Sequence, residues 1–317
     1  MDKYFSVADI GNPEALAEEA LQVKYNPLAW KKLGKDKTVC LIFLNPSLRT
    51  RLSTQKAAAN LGMDSFVFDV GKDGWQLEFG DGVVMDGDKA EHIKEAAAVI
   101  GSYFDVIAIR SFPTLTDREK DYSEVVFNQF VKYCGKPVVN MESATLHPLQ
   151  SLTDLITIRE HTQTARPKVV LTWAPHPRAL PQSTVNSFAQ WMNAADVDLV
   201  VTHPKGYELK EEFTNGAAIE YDQNKAFEGA DFIYAKNWSS YASYGQILSQ
   251  DRSWTVTGEK MALTNTAKFM HCLPVRRNVI VADEVLDSPA SIVIQQAANR
   301  EFAAQTVLKK ILEAQHG

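Results

Sequence analysis

The chain has 317 residues, with 33 Lys plus Arg against 39 Asp plus Glu, a formal net charge of −6. That length suits one large or two medium domains, and 45% hydrophobic residues supply an ordinary globular core. Mild acidity without long basic runs argues against nucleic-acid and anionic-membrane partners, and every apolar run is too short for a transmembrane span.

The opening Met1-Asp2-Lys3-Tyr4-Phe5 has no apolar stretch behind a basic one, so no signal peptide is expected. Residues 38–44 (TVCLIFL) form a continuous buried-strand pattern, and 47–61 reads as a helix stopped by Gly62. A short strand is expected at 65–70. Asp88-Lys89-Ala90-Glu91 has the form of a capping box, opening a helix that runs to Tyr103. A strand at 104–110, a helix at 122–133 and a strand at 137–141 complete the first half. The long helical stretch 149–161 separates two sets of strands, so a domain boundary is expected near His147. Further strands are expected at 168–174, 198–203, 231–236, 269–273 and 291–294, with a last helix over 296–314. Pro175 to Pro181 is a proline-stiffened loop, and 237–251 is polar, aromatic and without period. The alternation implies an α/β fold of two doubly wound parallel-sheet domains joined by interdomain helices. Cys40, Cys134 and Cys272 are few, odd in number and far apart, forming neither a disulfide framework nor a zinc pattern. A reduced, cytoplasmic protein is expected.

Ligands of open α/β sheets sit at the carboxyl ends of the strands, which makes the residues there informative. After the first strong strand comes Asn45-Pro46-Ser47-Leu48-Arg49-Thr50-Arg51. Hydroxyls and an Arg at a helix start suit an anion, because unpaired N–H groups and the positive helix end face the ligand. Ser47 as a plain N-cap and Arg49 as a solvated charge is an equal alternative. Arg110 ends its strand, where it meets either an anionic ligand or a salt-bridge partner. Glu142 follows another strand, and His147-Pro148-Leu149-Gln150 offers an imidazole and an amide at a helix start, or a capping histidine. His271-Cys272-Leu273-Pro274 lacks the second His/Cys pair a metal needs, so Cys272 reads as a small buried hydrophobe. Lys236 ends another strand, where it meets a carboxylate or is solvated, and Arg300 read singly is a surface charge. Together, Ser47, Arg49, Thr50, Arg110, His147, Gln150, Arg276 and Arg300 make a cationic crevice in an acidic protein. That argues for a small substrate with several negative charges, foremost a phosphate.

The order Ser47-Leu48-Arg49-Thr50, Arg110, His147-Pro148-Leu149-Gln150, His271-Cys272-Leu273-Pro274 and Arg300 resembles the aspartate/ornithine carbamoyltransferase superfamily over nearly the whole chain. The His-Cys-Leu-Pro form resembles the ornithine branch. Ordinary members of that branch carry an Asp and a Ser-Met-Gly loop where this chain has Lys236-Asn237-Trp238-Ser239-Ser240-Tyr241-Ala242-Ser243-Tyr244-Gly245. The α-amino group of ornithine would lack its acidic partner. With the loop at His176 and with Trp75 in Gly71-Lys72-Asp73-Gly74-Trp75, the chain is similar to N-acylornithine carbamoyltransferases. Acylation removes the amino charge that the Asp would meet. Acetyl-specific members carry a Glu after Met85-Asp86-Gly87-Asp88 and a Lys after the paired arginines, whereas succinyl-specific members carry Pro and an apolar residue. Ala90 matches neither class and Ile280 is apolar; both are uncharged. Ala90 would not repel a succinyl carboxylate, and Arg276 would pair with it, so N-succinylornithine is favoured over N-acetylornithine.

The resemblance implies carbamoyl transfer from carbamoyl phosphate without cofactor, metal or covalent nucleophile. It implies Thr50, Arg110 and His147 as the catalytic groups around the carbonyl oxygen. Ser47, Leu48, Arg49, Thr50, Arg110, His147, Gln150, Cys272, Leu273 and Arg300 would bind carbamoyl phosphate. Glu142, His176, Lys236, Arg276 and Ala90 would bind the acylornithine. Trp75 would also bind carbamoyl phosphate, by reaching into a neighbouring subunit's site in a homotrimer with shared active sites. A carbamoyl phosphate domain over residues 1–146, completed by 297–317, and an acylornithine domain over 147–296 are expected, the second one knotted. Two rivals remain. A nucleotide-dependent dehydrogenase should show Gly-x-Gly-x-x-Gly, and none follows Leu44 or Val70. A non-catalytic binder of an anionic metabolite would keep the crevice without the chemistry.

Overall fold

Parallel strands need a crossover to return the chain, so the alternation of apolar runs and amphipathic segments dictates how they pair. The computed structural model describes residues 1–316. The first half runs β1 (Lys3–Tyr4), α1 (Pro13–Tyr25), β2 (Thr38–Phe43), α2 (Arg49–Leu61), β3 (Asp64–Asp69), β4 (Leu77–Glu78), β5 (Glu91–His92), α3 (Ile93–Tyr103), β6 (Val106–Arg110), α4 (Arg118–Tyr122), α5 (Val125–Tyr133) and β7 (Val138–Glu142). After α6 (Pro148–His161) come β8 (Lys168–Trp173), α7 (Ser183–Ala194), β9 (Asp198–Thr202), α8 (Glu211–Thr214), β10 (Ala218–Glu220), α9 (Gln223–Phe227) and β11 (Phe232–Lys236). The chain then forms α10 (Gly258–Met261), β12 (Lys268–Met270), α11 (Asp283–Leu286) and α12 (Val293–His316). No helix among the described residues is long and apolar enough to cross a membrane.

Two five-stranded parallel sheets result, in the orders β1-β7-β6-β2-β3 and β10-β9-β8-β11-β12. Each reverses direction once. In the first sheet the chain leaves β2 for β3 and then jumps back to β6, so the crevice opens between β2 and β6. In the second it leaves β8 for β9 and β10 and jumps back to β11. Such switch points are where adjacent strand-end loops diverge and leave room for a ligand.

The halves share one apolar core. It contains Tyr4, Leu41 and Val106 of the first half, Leu152 and Leu155 of α6, Trp173 and Trp191 of the second half, and Val307 and Ile311 of α12. Helix α12 packs on α1, α2 and α6. Asn299 Nδ2 donates to Thr157 Oγ1 at 3.0 Å, and Asn60 Nδ2 donates to Gln305 Oε1 at 2.9 Å. The last helix therefore braces the helix that carries the first-sheet switch loop.

Three local expectations are corrected. No capping box forms at Asp88–Glu91: Glu91 pairs in β5 and accepts Trp75 Nε1 at 2.8 Å, and His92 Nδ1 caps α3 by accepting the Lys94 N–H at 3.2 Å. The single helix at 122–133 is two helices broken at Ser123–Glu124. Glu124 takes a left-handed backbone (φ 52°) and turns its carboxylate inward to the Thr145 N–H and Ser143 Oγ, both at 2.7 Å. Tertiary hydrogen bonds override helix propensity here. The strand expected at 291–294 reduces to one bridge between Ser291 and Phe269, because α12 begins at Val293.

Gly62 ends α2 at φ 80°, and a Cβ there would lie 2.1 Å from the Lys31 carbonyl oxygen. Gly62→Ala is expected to lower unfolding free energy by about 2 kcal/mol or more, from left-handed strain plus a backbone clash. Denaturant unfolding reads this directly; an unchanged midpoint would show that the turn relaxes freely.

Candidate active site

Helix α2 opens without a side-chain cap at Leu48, so its first-turn N–H groups are left for an external acceptor. Ser47 is not the N-cap. With Arg49 and Thr50, this helix start forms one wall of a cavity of about 510 Å³ that gathers residues from both switch points. A hollow of about 710 Å³ lies along residues 28–33, but a single stretch of chain lines it and no chemistry converges there.

The end of β6 supplies Arg110, which is 6% exposed. Its Nη1 donates to the carbonyls of Asn45 (3.0 Å) and Pro46 (2.7 Å), and its Nη2 lies 3.2 Å from Glu142 Oε2. The Phe112 ring packs 4.1 Å beneath the guanidinium. Glu142, at the end of β7, also accepts Ser183 Oγ at 3.0 Å. His147 Nε2 stands 3.7 Å from Glu142 Oε2, and His147 Nδ1 makes no hydrogen bond. Burial, reinforced by Arg300, Arg110 and Lys236, holds the His147 pKa well below the usual imidazole value, so the ring is neutral.

Opposite, α6 contributes Gln150 and α12 contributes Arg300. Arg300 donates from Nη1 to Gln150 Oε1 and from Nη2 to Thr50 Oγ1 at 2.6 Å. Burial lowers the pKa of both Arg300 and Arg49, while guanidinium chemistry keeps them charged.

The second switch point closes the cavity. Lys236 ends β11 and donates to the Asn237 carbonyl at 3.1 Å. His176 follows β8. Arg276 Nε donates to His176 Nε2 at 3.0 Å, and His176 Nδ1 sits between the Arg178 carbonyl at 2.9 Å and the Arg178 N–H at 3.0 Å. Past β12, the Leu273 N–H donates to His271 Nδ1 at 2.8 Å, and Leu273 adopts φ 55° before a cis proline.

Thirteen expected site residues therefore line one cavity: Ser47, Leu48, Arg49, Thr50, Arg110, Glu142, His147, Gln150, His176, Lys236, Cys272, Leu273 and Arg300. Arg276 reaches it through His176. Trp75 and Ala90 do not line it; Trp75 is 58% exposed and bonded to Glu91. Sequence reading missed Phe112, Leu180 and Thr184 in the wall, since no strand-end pattern marks them. Four cations, Arg49, Arg110, Lys236 and Arg300, face one lining carboxylate, Glu142. Among the described residues no His/Cys/Asp/Glu group is arranged to hold a metal ion. What this arrangement can do is bind a small polyanion and offer N–H and O–H donors to an oxygen that gains charge.

The chain matches two family descriptions. Residues 4–160 match "Aspartate/ornithine carbamoyltransferase, carbamoyl-P binding domain", and residues 181–311 match the "Asp/Orn binding domain" of the same family. It is 58% identical over 315 residues to the N-succinylornithine carbamoyltransferase of Bacteroides thetaiotaomicron, covering 99% of each chain. It is 38% identical over 320 residues to the N-acetylornithine carbamoyltransferase of Xanthomonas campestris pv. campestris, covering 94% of each. Among solved structures, acetylornithine transcarbamylase complexed with acetylcitrulline superposes with a TM-score of 0.93 at 36% identity, covering 98% of this chain and 99% of that one. A variant of N-acetyl-L-ornithine transcarbamylase complexed with carbamyl phosphate and N-succinyl-L-norvaline gives a TM-score of 0.92, also at 36% identity, covering 98% and 100%.

The neutral state of His147 is measurable. The unfolded imidazole takes up a proton as pH falls through about 6.5, whereas the folded ring does so only at lower pH. This lowers stability on acidification; Asp154, whose folded pKa is raised, acts in the opposite sense. A site-resolved NMR titration is the clean readout. His147 is expected to stay neutral from pH 8 to about 6; a midpoint at or above the ordinary imidazole value would overturn that.

Proposed function

The chain belongs to the aspartate/ornithine carbamoyltransferase family, and on that premise we propose that it transfers the carbamoyl group of carbamoyl phosphate to the side-chain amine of N-succinyl-L-ornithine. The products are N-succinyl-L-citrulline and phosphate, a step suited to arginine biosynthesis. The observation that carries this reading is the cavity in which four cations and an uncapped helix start converge at two switch points. Similarity along nearly the full chain to N-succinylornithine carbamoyltransferases supports the choice of acceptor.

In this mechanism the phosphate sits on the first turn of α2, among backbone N–H groups of residues 47–50, with Arg49 and Arg300 neutralising it. Thr50, Arg110 and neutral His147 donate to the carbonyl oxygen, which becomes more negative as the amine attacks. Arg110 is already tethered by two carbonyls and Glu142, so little reorganisation accompanies the reaction. Gln150 and the backbone at Cys272–Leu273 orient the carbamoyl NH2. The amine forms its bond to the carbonyl carbon, the C–O bond to phosphate breaks, and the departing phosphate accepts the amine's proton. Alignment of two bound substrates supplies much of the acceleration. Lys236 meets the α-carboxylate of the acceptor, Glu142 and His176 position it, and Arg276 meets the distal carboxylate, which the uncharged Ala90 and Ile280 do not repel.

The same reading assigns the carbamoyl phosphate domain to residues 1–146 with 297–317, and the acylornithine domain to 147–296. It makes the protein a cytoplasmic homotrimer in which Trp75 completes a neighbour's site. The exposure of the large apolar side chain of Trp75 (58%) is consistent with burial between subunits. A knotted second domain belongs to the same reading, and in this structure later segments pack on the loop after β8. Its Leu180 carbonyl accepts the Ser239 N–H (3.0 Å), its His176 carbonyl accepts Gln250 Nε2 (3.1 Å), and its His176 ring accepts Arg276.

Assays with ornithine, N-acetylornithine and N-succinylornithine, each with carbamoyl phosphate, test the reading. Turnover is expected with the succinyl substrate foremost; turnover with ornithine alone would remove the acyl assignment, and none with any would leave a binding protein. Arg110→Ala is expected to lower kcat by about 100-fold or more through loss of a transition-state donor. An unchanged kcat would take Arg110 out of the chemistry.

A further inference from the structure

Gln150 and Asp154 lie four residues apart on α6, and Gln296 and Arg300 four apart on α12, so each pair occupies one helix face. The two faces meet. Asp154 Oδ1 accepts Gln150 Nε2 at 2.7 Å and Gln296 Nε2 at 2.6 Å. The opposite ends of both amides are fixed as a result: Gln150 Oε1 receives Arg300, and Gln296 Oε1 receives the His271 N–H at 2.9 Å. A glutamine amide can sit in two orientations of opposite polarity. Here an oxygen of a fully buried carboxyl group selects one of them twice. Burial pushes Asp154 up to about 7, against the pull of the two amides and Arg300. Its Oδ2 makes no hydrogen bond, and the buried Tyr234 hydroxyl, itself without one, stands near enough to favour the ionised carboxylate; a proton taken up on Oδ2 would still leave Oδ1 accepting and the orientation unchanged.

We propose that Asp154 is a positioning residue for the donor: it locks Gln150 with the amide oxygen toward the cavity, so that the site accepts from the NH2 of a carbamoyl group and discriminates against acyl phosphates carrying a methyl there. The proposal rests on the carbamoyl-transfer reading above. Arg300 also holds Gln150, from the oxygen end of the amide, whereas Asp154 holds it from the nitrogen end and so sets which end faces the cavity. A site built around a hydrogen bond rejects the analogue lacking it, because the unpaired buried group costs more than the bond returns.

The test uses the full-length enzyme and two donors. First, wild-type transfer from carbamoyl phosphate is confirmed; its absence would remove the functional reading and the proposal with it, whereas a failure at the next step removes the proposal alone. Then KM for carbamoyl phosphate, KM for the acylornithine and the inhibition constant of acetyl phosphate are measured for wild type, Asp154→Leu and Asp154→Asn. Asp154→Leu is expected to raise the carbamoyl phosphate KM about tenfold, leave the acceptor KM within about twofold, and leave acetyl phosphate inhibition unchanged. Asp154→Asn keeps an oxygen acceptor and is expected to retain most of the discrimination. A folded Asp154→Leu variant with wild-type discrimination, or with both KM values raised alike, would overturn the proposal. Should that variant fail to fold, Gln150→Glu and the double variant Gln150→Glu/Asp154→Asn decide. The single change sets two carboxyl groups against each other, and the second supplies an amide N–H to the new carboxylate, so discrimination should recover. No recovery would also overturn it.

Discussion

Like charges repel, and four cations held in one crevice against a single carboxylate are the load that the surrounding structure must balance. Two unit charges about 6 Å apart at an effective dielectric of about 20 repel by about 3 kcal/mol. The chain answers with neutral acceptors. Arg110 rests on the carbonyls of Asn45 and Pro46, Lys236 on that of Asn237, and Arg300 on Thr50 and Gln150. Carbonyl and amide oxygens satisfy the N–H groups without cancelling the charge. The net positive field survives for a ligand, and burial, reinforced by the same field, keeps His147 from taking up a proton.

The topology decides where that field can exist. Each sheet offers one crevice, and the crossing of α6 and α12 behind them turns both toward the same space. Strand ends supply Arg110, Glu142 and Lys236 from stiff backbone, whereas Arg49 and Thr50 come from a helix whose far end is held by Gly62. The shared core that joins the halves through Trp173, Trp191 and Ile311 keeps these origins in register.

Much of this was legible in the amino-acid order because the signals are local. TVCLIFL is apolar on both faces and becomes a central strand, and Gly62 sits where a left-handed residue is required. Arg110 and Lys236 are polar residues closing apolar runs, which is how a strand end at a crevice reads. Where reading failed, long-range partners had won. Glu91 looked like half of a capping box until Trp75 claimed it, and Glu124 interrupted a periodic helix to serve Thr145 and Ser143. Phe112, Leu180 and Thr184 enter the cavity wall only through tertiary placement, so no spacing rule could find them. Asp154 was hidden for a related reason: its meaning lies in Gln296, 142 positions away.

The bond between Thr50 and Arg300 spans 250 positions. A chain emerging from the ribosome can fold its first sheet and present the start of α2 long before residue 300 exists, yet the anion seat then lacks one guanidinium and the brace of α12. Catalytic competence is thereby tied to the synthesis of α12. A polypeptide that has not yet made this helix would titrate little of the cell's labile carbamoyl donor, because α12 finishes the seat.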